Sequence, residues 1–217
     1  MRLSLVDIVF FEGVNHLRPS PLQTFRGGGD RPETRDRIAV DDLYGIEAIG
    51  PPVPFRVGLS LLEGDLREDF DACLRDIPAD AELGTPGAEA LIAPGGRLEE
   101  AHRLVREACA RDYQADTIAA NLLARKRPRL VFLAGRGVAC QFGQPGPFMQ
   151  KVHRRLAAND GELRAALARA RAAANLDEDT VSLVQALGTI LGSRHGDHWD
   201  SDRAGSKCPY DATVVLE

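Results

Sequence analysis

The sequence predicts an α/β fold built on a mixed sheet, with α+β as the open alternative, and three observations carry that expectation. Residues 2–11 form a nearly continuous β-rich apolar run (Leu3, Leu5, Val6, Ile8, Val9, Phe10, Phe11), the pattern of a strand buried on both faces. Residues 38–62 hold three short apolar runs separated by turn residues, which reads as an antiparallel meander. Two further strand-like runs, at 90–93 and 130–133, flank a stretch of helical period, and a strand–helix–strand order implies a right-handed βαβ crossover.

In chain order, the strand at 2–11 carries Asp7 in its middle, a carboxylate that needs a partner if buried. Residues 12–37 read as a long loop, since Pro19, Pro21, Pro32 and the glycines at 27–29 leave no room for a regular element. The meander strands follow at 38–40, 44–49 and 54–62, with Asp41-Asp42 and Gly50-Pro51-Pro52 in the gaps. The period then changes to helical: Asp65 and Glu68 resemble a capping box, and Leu66, Phe70, Cys73, Leu74 and Ile77 share one face. After a loop at 78–88 and the strand at 90–93, residues 98–126 predict one long helix or two abutting ones, with Arg125, Lys126 and Arg127 placed where cations favour a helix C-terminus.

Pro128 stops that helix, residues 130–133 form the next strand, and a glycine-rich turn fills 135–146. Pro147 opens a helix to about 158, and 162–174 form an Ala- and Arg-rich helix with a narrow apolar face of Leu163, Ala166, Leu167 and Ala170. Asp177 caps a third helix ending at Gly192, a polar loop covers 192–211, and a last strand at 212–216 returns to the sheet. The whole reads as a single domain over 1–217 with long loops at 12–37 and 192–211.

Composition narrows the function. A formal net charge of −5 and a pI near 5.6 supply no basic field for nucleic acid or anionic lipid, so a small-molecule substrate or a protein partner fits better. No window reaches the roughly 18 apolar residues of a membrane span, and the N-terminus lacks the features of a signal peptide. The four cysteines match neither a disulfide framework nor a metal motif, which points to a cytoplasmic protein, with Cys73 and Cys109 as core residues.

Three clusters could carry chemistry. In the C-terminal loop, His195, Asp197, His198 and Asp200 are imidazole and carboxylate groups close enough in sequence to share a divalent metal, the candidate cofactor, with Asp7 or Asp41 completing the shell. Without a metal, His195 or His198 serves as general base, oriented by Asp197. The second is Cys140, a nucleophile if a cation or helix N-terminus lowers its pKa, with His153 or a C-terminal-loop histidine as its base. The third is an anion clamp of Arg136 and Gly137 in the turn, with Arg26 and Arg31 from the loop at 12–37.

Together these predict a cytoplasmic hydrolase or group transferase acting on a small anionic or nucleotide-like substrate, metal-assisted if the histidine loop holds an ion. Two alternatives stay open. One is a non-catalytic subunit or binding protein, or a homo-oligomer, meeting its partner through the Arg/Ala helix and the long loops. The other is a nuclease or RNA-processing protein using the H-x-x-H loop.

Overall fold

The computed structural model describes residues 9, 15, 17–109, 114–133 and 145–199, with side chains given for all of these except 145–148 and 194–199. Among them there is no strand and no sheet, so the predicted α/β class is corrected to an all-helical one. Among the described residues ten α-helices are delimited: α1 (Pro21–Thr24), α2 (Val40–Glu47), α3 (Phe55–Leu62), α4 (Leu66–Asp76), α5 (Ala88–Leu91), α6 (Arg97–Ala108), α7 (Ala115–Lys126), α8 (Pro145–Ala157), α9 (Glu162–Ala173) and α10 (Leu183–Trp199).

The predicted meander is where the reading fails most completely. Residues 54–62 and 40–49 are short apolar runs, and periodicity over so few residues does not separate a strand from a helix. In α3 the buried positions are Val57, Gly58 and Leu61 while Phe55 and Leu59 face solvent, a spacing of three to four and not two. In α2, Asp42, Gly45 and Ile46 are buried on the same logic. The predicted strand at 90–93 falls in α5 and the turn after it, and 130–133 is turn and irregular chain packed into the core. Without those two strands the predicted βαβ crossover does not exist. Of the predicted strand at 2–11 only Val9 is described, helical and fully buried, and the predicted strand at 212–216 lies outside the described residues.

The longer periodic segments were read correctly. On α4 the faces match, with Phe70, Cys73, Leu74 and Ile77 buried. The predicted helix over 98–126 is two, α6 and α7, and the apolar stripe of α9 is buried in the core. The last helix begins later and runs further than predicted. Asp177 receives the Thr180 N–H in a turn, and Ser182 caps α10 instead, accepting the Gln185 N–H at 3.2 Å and donating to the Pro128 carbonyl at 2.6 Å. Residues 192–199, predicted as loop, continue α10.

The centre of the molecule is α7. From Ile118 to Lys126 every residue is buried, so this helix has no solvent face along most of its length. It packs against α6 on one side and α2 on another, while α6 also packs on α4, and α9 packs on α10. The buried apolar residues form one cluster spanning all of these elements.

Candidate functional site

A helix buried on every side has nowhere to put charge, yet α7 ends in Arg125 and Lys126 and is followed by Arg127, none of them more than 1% exposed. Burying an unpaired cation is costly, so each must find acceptors inside the protein. Arg125 donates from Nε to Asp42 at 2.7 Å and from its terminal nitrogens to the carbonyls of Leu22 and Phe25. Lys126 Nζ lies 2.5 Å from Asp42 and 2.9 Å from each of the Gly29 and Thr34 carbonyls, three acceptors for three N–H groups. Arg127 uses all five of its donors: Nε on the Ile77 carbonyl, Nη1 on the carbonyls of Arg35 and Lys126, Nη2 on Asp36 at 2.8 Å and on the Leu74 carbonyl.

Asp42 is the counter-charge of the first two cations, and it also receives the Ala39 N–H at 2.8 Å, closing the first turn of α2. Burial lowers the Lys126 pKa and the Asp42 charge opposes that shift. With each proton engaged, the ammonium acts as a structural cation and not as a nucleophile. Burial likewise lowers Arg127, against the pull of Asp36.

These contacts decide the shape of residues 17–37, part of the stretch 12–37 that the sequence predicts as an irregular loop. The segment is laid over the end of α7 and tied down by carbonyls at Leu22, Phe25, Gly29, Thr34 and Arg35. Its glycine run serves that packing: a Cβ at Gly29 would stand 2.5 Å from Arg125 Cγ and 2.7 Å from the Arg125 carbonyl oxygen.

The front of this arrangement is a surface cleft of about 560 Å³. Three guanidinium groups reach it from separate segments, Arg35, Arg75 near the end of α4, and Arg129. Three carboxylates, Asp30, Asp36 and Asp80, line it with them, together with Ile77, Pro78 and Ala79. Arg127 builds the wall from behind, because its partners Arg35, Asp36 and Ile77 are themselves lining residues. Within the lining, Arg35 lies 3.5 Å from Asp36, and Arg129 pairs with Glu178 at 2.9 Å and Asp179 at 3.3 Å. Arg75 has no ion pair among the described residues.

The residues singled out in the sequence are placed as follows. Cys140, Arg136, Gly137 and Asp200 lie outside the described residues. His195, Asp197 and His198 fall on the α10 backbone, and their side chains lie outside the described residues. Arg31 donates to the Gly28 carbonyl at 3.1 Å and pairs with Asp41 at 3.3 Å, while Arg26 is exposed with a φ of 54°; neither lines the cleft. His153, suggested as a base for Cys140, is buried in α8 with Nδ1 accepting the Gly84 N–H at 3.1 Å. Among the described residues no three His, Cys, Asp or Glu groups converge as a metal site would require. No helix among them is long and apolar enough to cross a membrane.

Residues 15–195 match the model of a family of unknown function, DUF6308. The chain belongs to this family. The DUF6308 match spans Asp42, the three buried cations and every residue lining the cleft, so the buried charge cluster and the cleft lie within the part that defines membership. No curated protein and no solved structure matches the chain.

Proposed function

We propose that the cleft binds a small polar ligand through an anionic group, a phosphate or a carboxylate, held by Arg75. The observation that carries this is the Arg75 guanidinium, which faces a cleft with a fixed wall and lacks an ion pair among the described residues. A guanidinium fork suits a two-oxygen anion, and Arg35 and Arg129 stand beside it as further donors. Asp30 and Asp80 balance the charge and favour a ligand that also offers hydroxyl or amine donors, as a nucleotide does. On this reading the protein is a cytoplasmic hydrolase or group transferase for a small anionic or nucleotide-like substrate. Asp30 or Asp80 is then the group that would orient or deprotonate a water. The free, buried Cys73 and Cys109 accord with a reducing compartment.

The test is calorimetric titration of the full chain with inorganic phosphate and with a nucleoside monophosphate, beside Arg75→Gln. Saturable binding weakened at least about tenfold by Arg75→Gln supports the assignment. Equal binding by both proteins, or none by either, removes it. Release of phosphate from the nucleotide, lost in Asp30→Asn or Asp80→Asn with binding retained, would distinguish an enzyme from a binding protein.

A further inference from the structure

The charges that line the cleft are not all open to a ligand, and those left unpaired are unequal in sign. Arg35 and the buried Arg127 both pair with Asp36, at 3.5 and 2.8 Å, and Arg129 is held by Glu178 and Asp179, which do not line the cleft. Arg75, Asp30 and Asp80 have no ion pair among the described residues. One cation and two anions therefore face the cleft unpaired. A ligand that carried only negative charge would answer Arg75 while bringing that charge toward both aspartates.

The two aspartates differ in what else they do. Burial disfavours the Arg127 cation, and the Asp30 charge is among those that oppose this, so Asp30 already supports the wall from the cleft side. Asp80 is exposed and follows Arg75 on the same stretch of chain, with Ile77, Pro78 and Ala79 lining the cleft between them. That stretch has few polar backbone groups to spare. Proline has no N–H, the Pro78 carbonyl accepts the Ala81 N–H at 3.1 Å, and the Ile77 carbonyl accepts Arg127 Nε at 2.7 Å. A cation and an anion at the two ends of such a stretch complement a ligand whose anion and ammonium are joined by methylenes, and suit the hydroxyls of a sugar less well. We propose that the ligand is a zwitterion, with its anionic group on Arg75, a protonated amine on Asp80 and an aliphatic spacer along Ile77, Pro78 and Ala79. The assignment rests on Arg75 as the anion site and narrows the class of ligand that site takes. It leaves Asp30 as the carboxylate that would orient a water.

The experiment is calorimetric titration of the full chain with aminoalkyl phosphates of about three to six carbons, ligands that a pocket of this size admits, each beside the amine-free alkyl phosphate of the same length. At one length or more the amine should tighten binding at least about threefold, the worth of a well-placed exposed ion pair, and the gain should shrink as salt is added. Asp80→Asn should abolish the gain and Asp30→Asn should keep it. Arg75→Gln should weaken both members of each pair in the same proportion. All three side chains are exposed, and matching thermal melts establish that the variants fold. If inorganic phosphate and the alkyl phosphates bind through Arg75 but the amine adds nothing at any length, the zwitterion is overturned and the anion site stands. A gain that survives Asp80→Asn overturns the placing of the amine. No binding by any of these ligands, inorganic phosphate included, overturns the anion site and the zwitterion with it.

Discussion

The Lys126 ammonium and the Asp42 carboxylate lie 2.5 Å apart with the two side chains 0% and 1% exposed, and Arg125 approaches the other oxygen of the same carboxylate at 2.7 Å. One buried anion therefore answers two buried cations, and the rest of their compensation comes from backbone carbonyls of residues 22–34. Replacing both partners of such a pair with apolar groups can be harmless, but removing one leaves charge stranded in the core.

Asp42→Asn is the variant that strands it. An amide keeps the size of the side chain but neutralises the only close carboxylate of Arg125 and Lys126 among the described residues. We expect a loss of about 3–5 kcal/mol in unfolding free energy, the range found when one member of a buried ion pair is removed. Urea denaturation followed by circular dichroism measures it. A loss below about 1 kcal/mol would mean that the carbonyls alone hold the cations.

Arg127→Lys tests whether the cleft is built from behind. Lysine keeps the charge but offers three donors for the five acceptors that Arg127 serves, so carbonyls at Leu74, Ile77 or Arg35 go unpaired. A cost of about 2–4 kcal/mol follows from leaving two buried acceptors unsatisfied. Because the Arg35–Asp36 wall loses its anchor, phosphate titration should also show weaker binding, although Arg127 does not line the cleft. Full stability with unchanged binding would contradict both parts.

Gly29→Ala addresses the close passage of the glycine segment over α7. The added methyl would meet Arg125 Cγ at 2.5 Å and its carbonyl oxygen at 2.7 Å, and backbone cannot swing aside as a side-chain tip can. A destabilisation of at least about 2 kcal/mol is expected from overpacking of this kind. Gly87→Ala is the matched control, since nothing lies within 4 Å of its Cβ position, and it should change stability by less than about 0.5 kcal/mol. Similar effects at the two sites would refute the close approach.

How much of this was legible in the sequence depends on segment length and on the range of the contacts. The helical period of α4 persists over Phe70, Cys73, Leu74 and Ile77, and α9 repeats Leu163, Ala166, Leu167 and Ala170, so both faces could be read. In α2 and α3 only eight residues are available, and Val40, Tyr44, Val57 and Phe55 have the β-branched or aromatic side chains that favour strands in isolation. Packing against α7 and α4 decided the outcome, and no local signal encodes it. The buried charge cluster was hidden for a related reason: acceptors of Arg125 lie about a hundred positions away, at Leu22 and Phe25. One sign was available. Ile118, Ala119, Ala120, Leu122, Leu123 and Ala124 place apolar residues around most of the helix just ahead of the basic run, with Asn121 the polar exception, a pattern that fits poorly with cations left in water. Of the cleft arginines, Arg35 belongs to the arginine-rich stretch beside the glycines at 27–29, whereas Arg75 and Arg129 carry no pattern that separates them from ordinary surface arginines.

The last prediction concerns pH. His102 on α6 has Nε2 buried without a hydrogen-bond partner, and the Asp116 carboxylate on α7 is 3.9 Å away. Burial pushes the His102 pKa below its ordinary 6.5, and Arg106 adds to that. The Asp116 charge, a hydrogen bond to the Asp116 backbone, and Glu99 act in the opposite direction without cancelling it. A depressed pKa means that the folded state holds fewer protons than the unfolded state in the window below 6.5. Unfolding there takes up protons, so this contribution is complete above 6.5 and is lost as the pH falls toward the folded value. Urea midpoints measured from about pH 5 to 8 should decline on the acid side for the wild type, and less steeply for His102→Gln, whose side chain does not titrate. Asp116→Asn should steepen the decline, since it removes the charge that favours the imidazolium. Identical acid slopes for the wild type and His102→Gln would show that carboxylates elsewhere set the response and that His102 does not contribute.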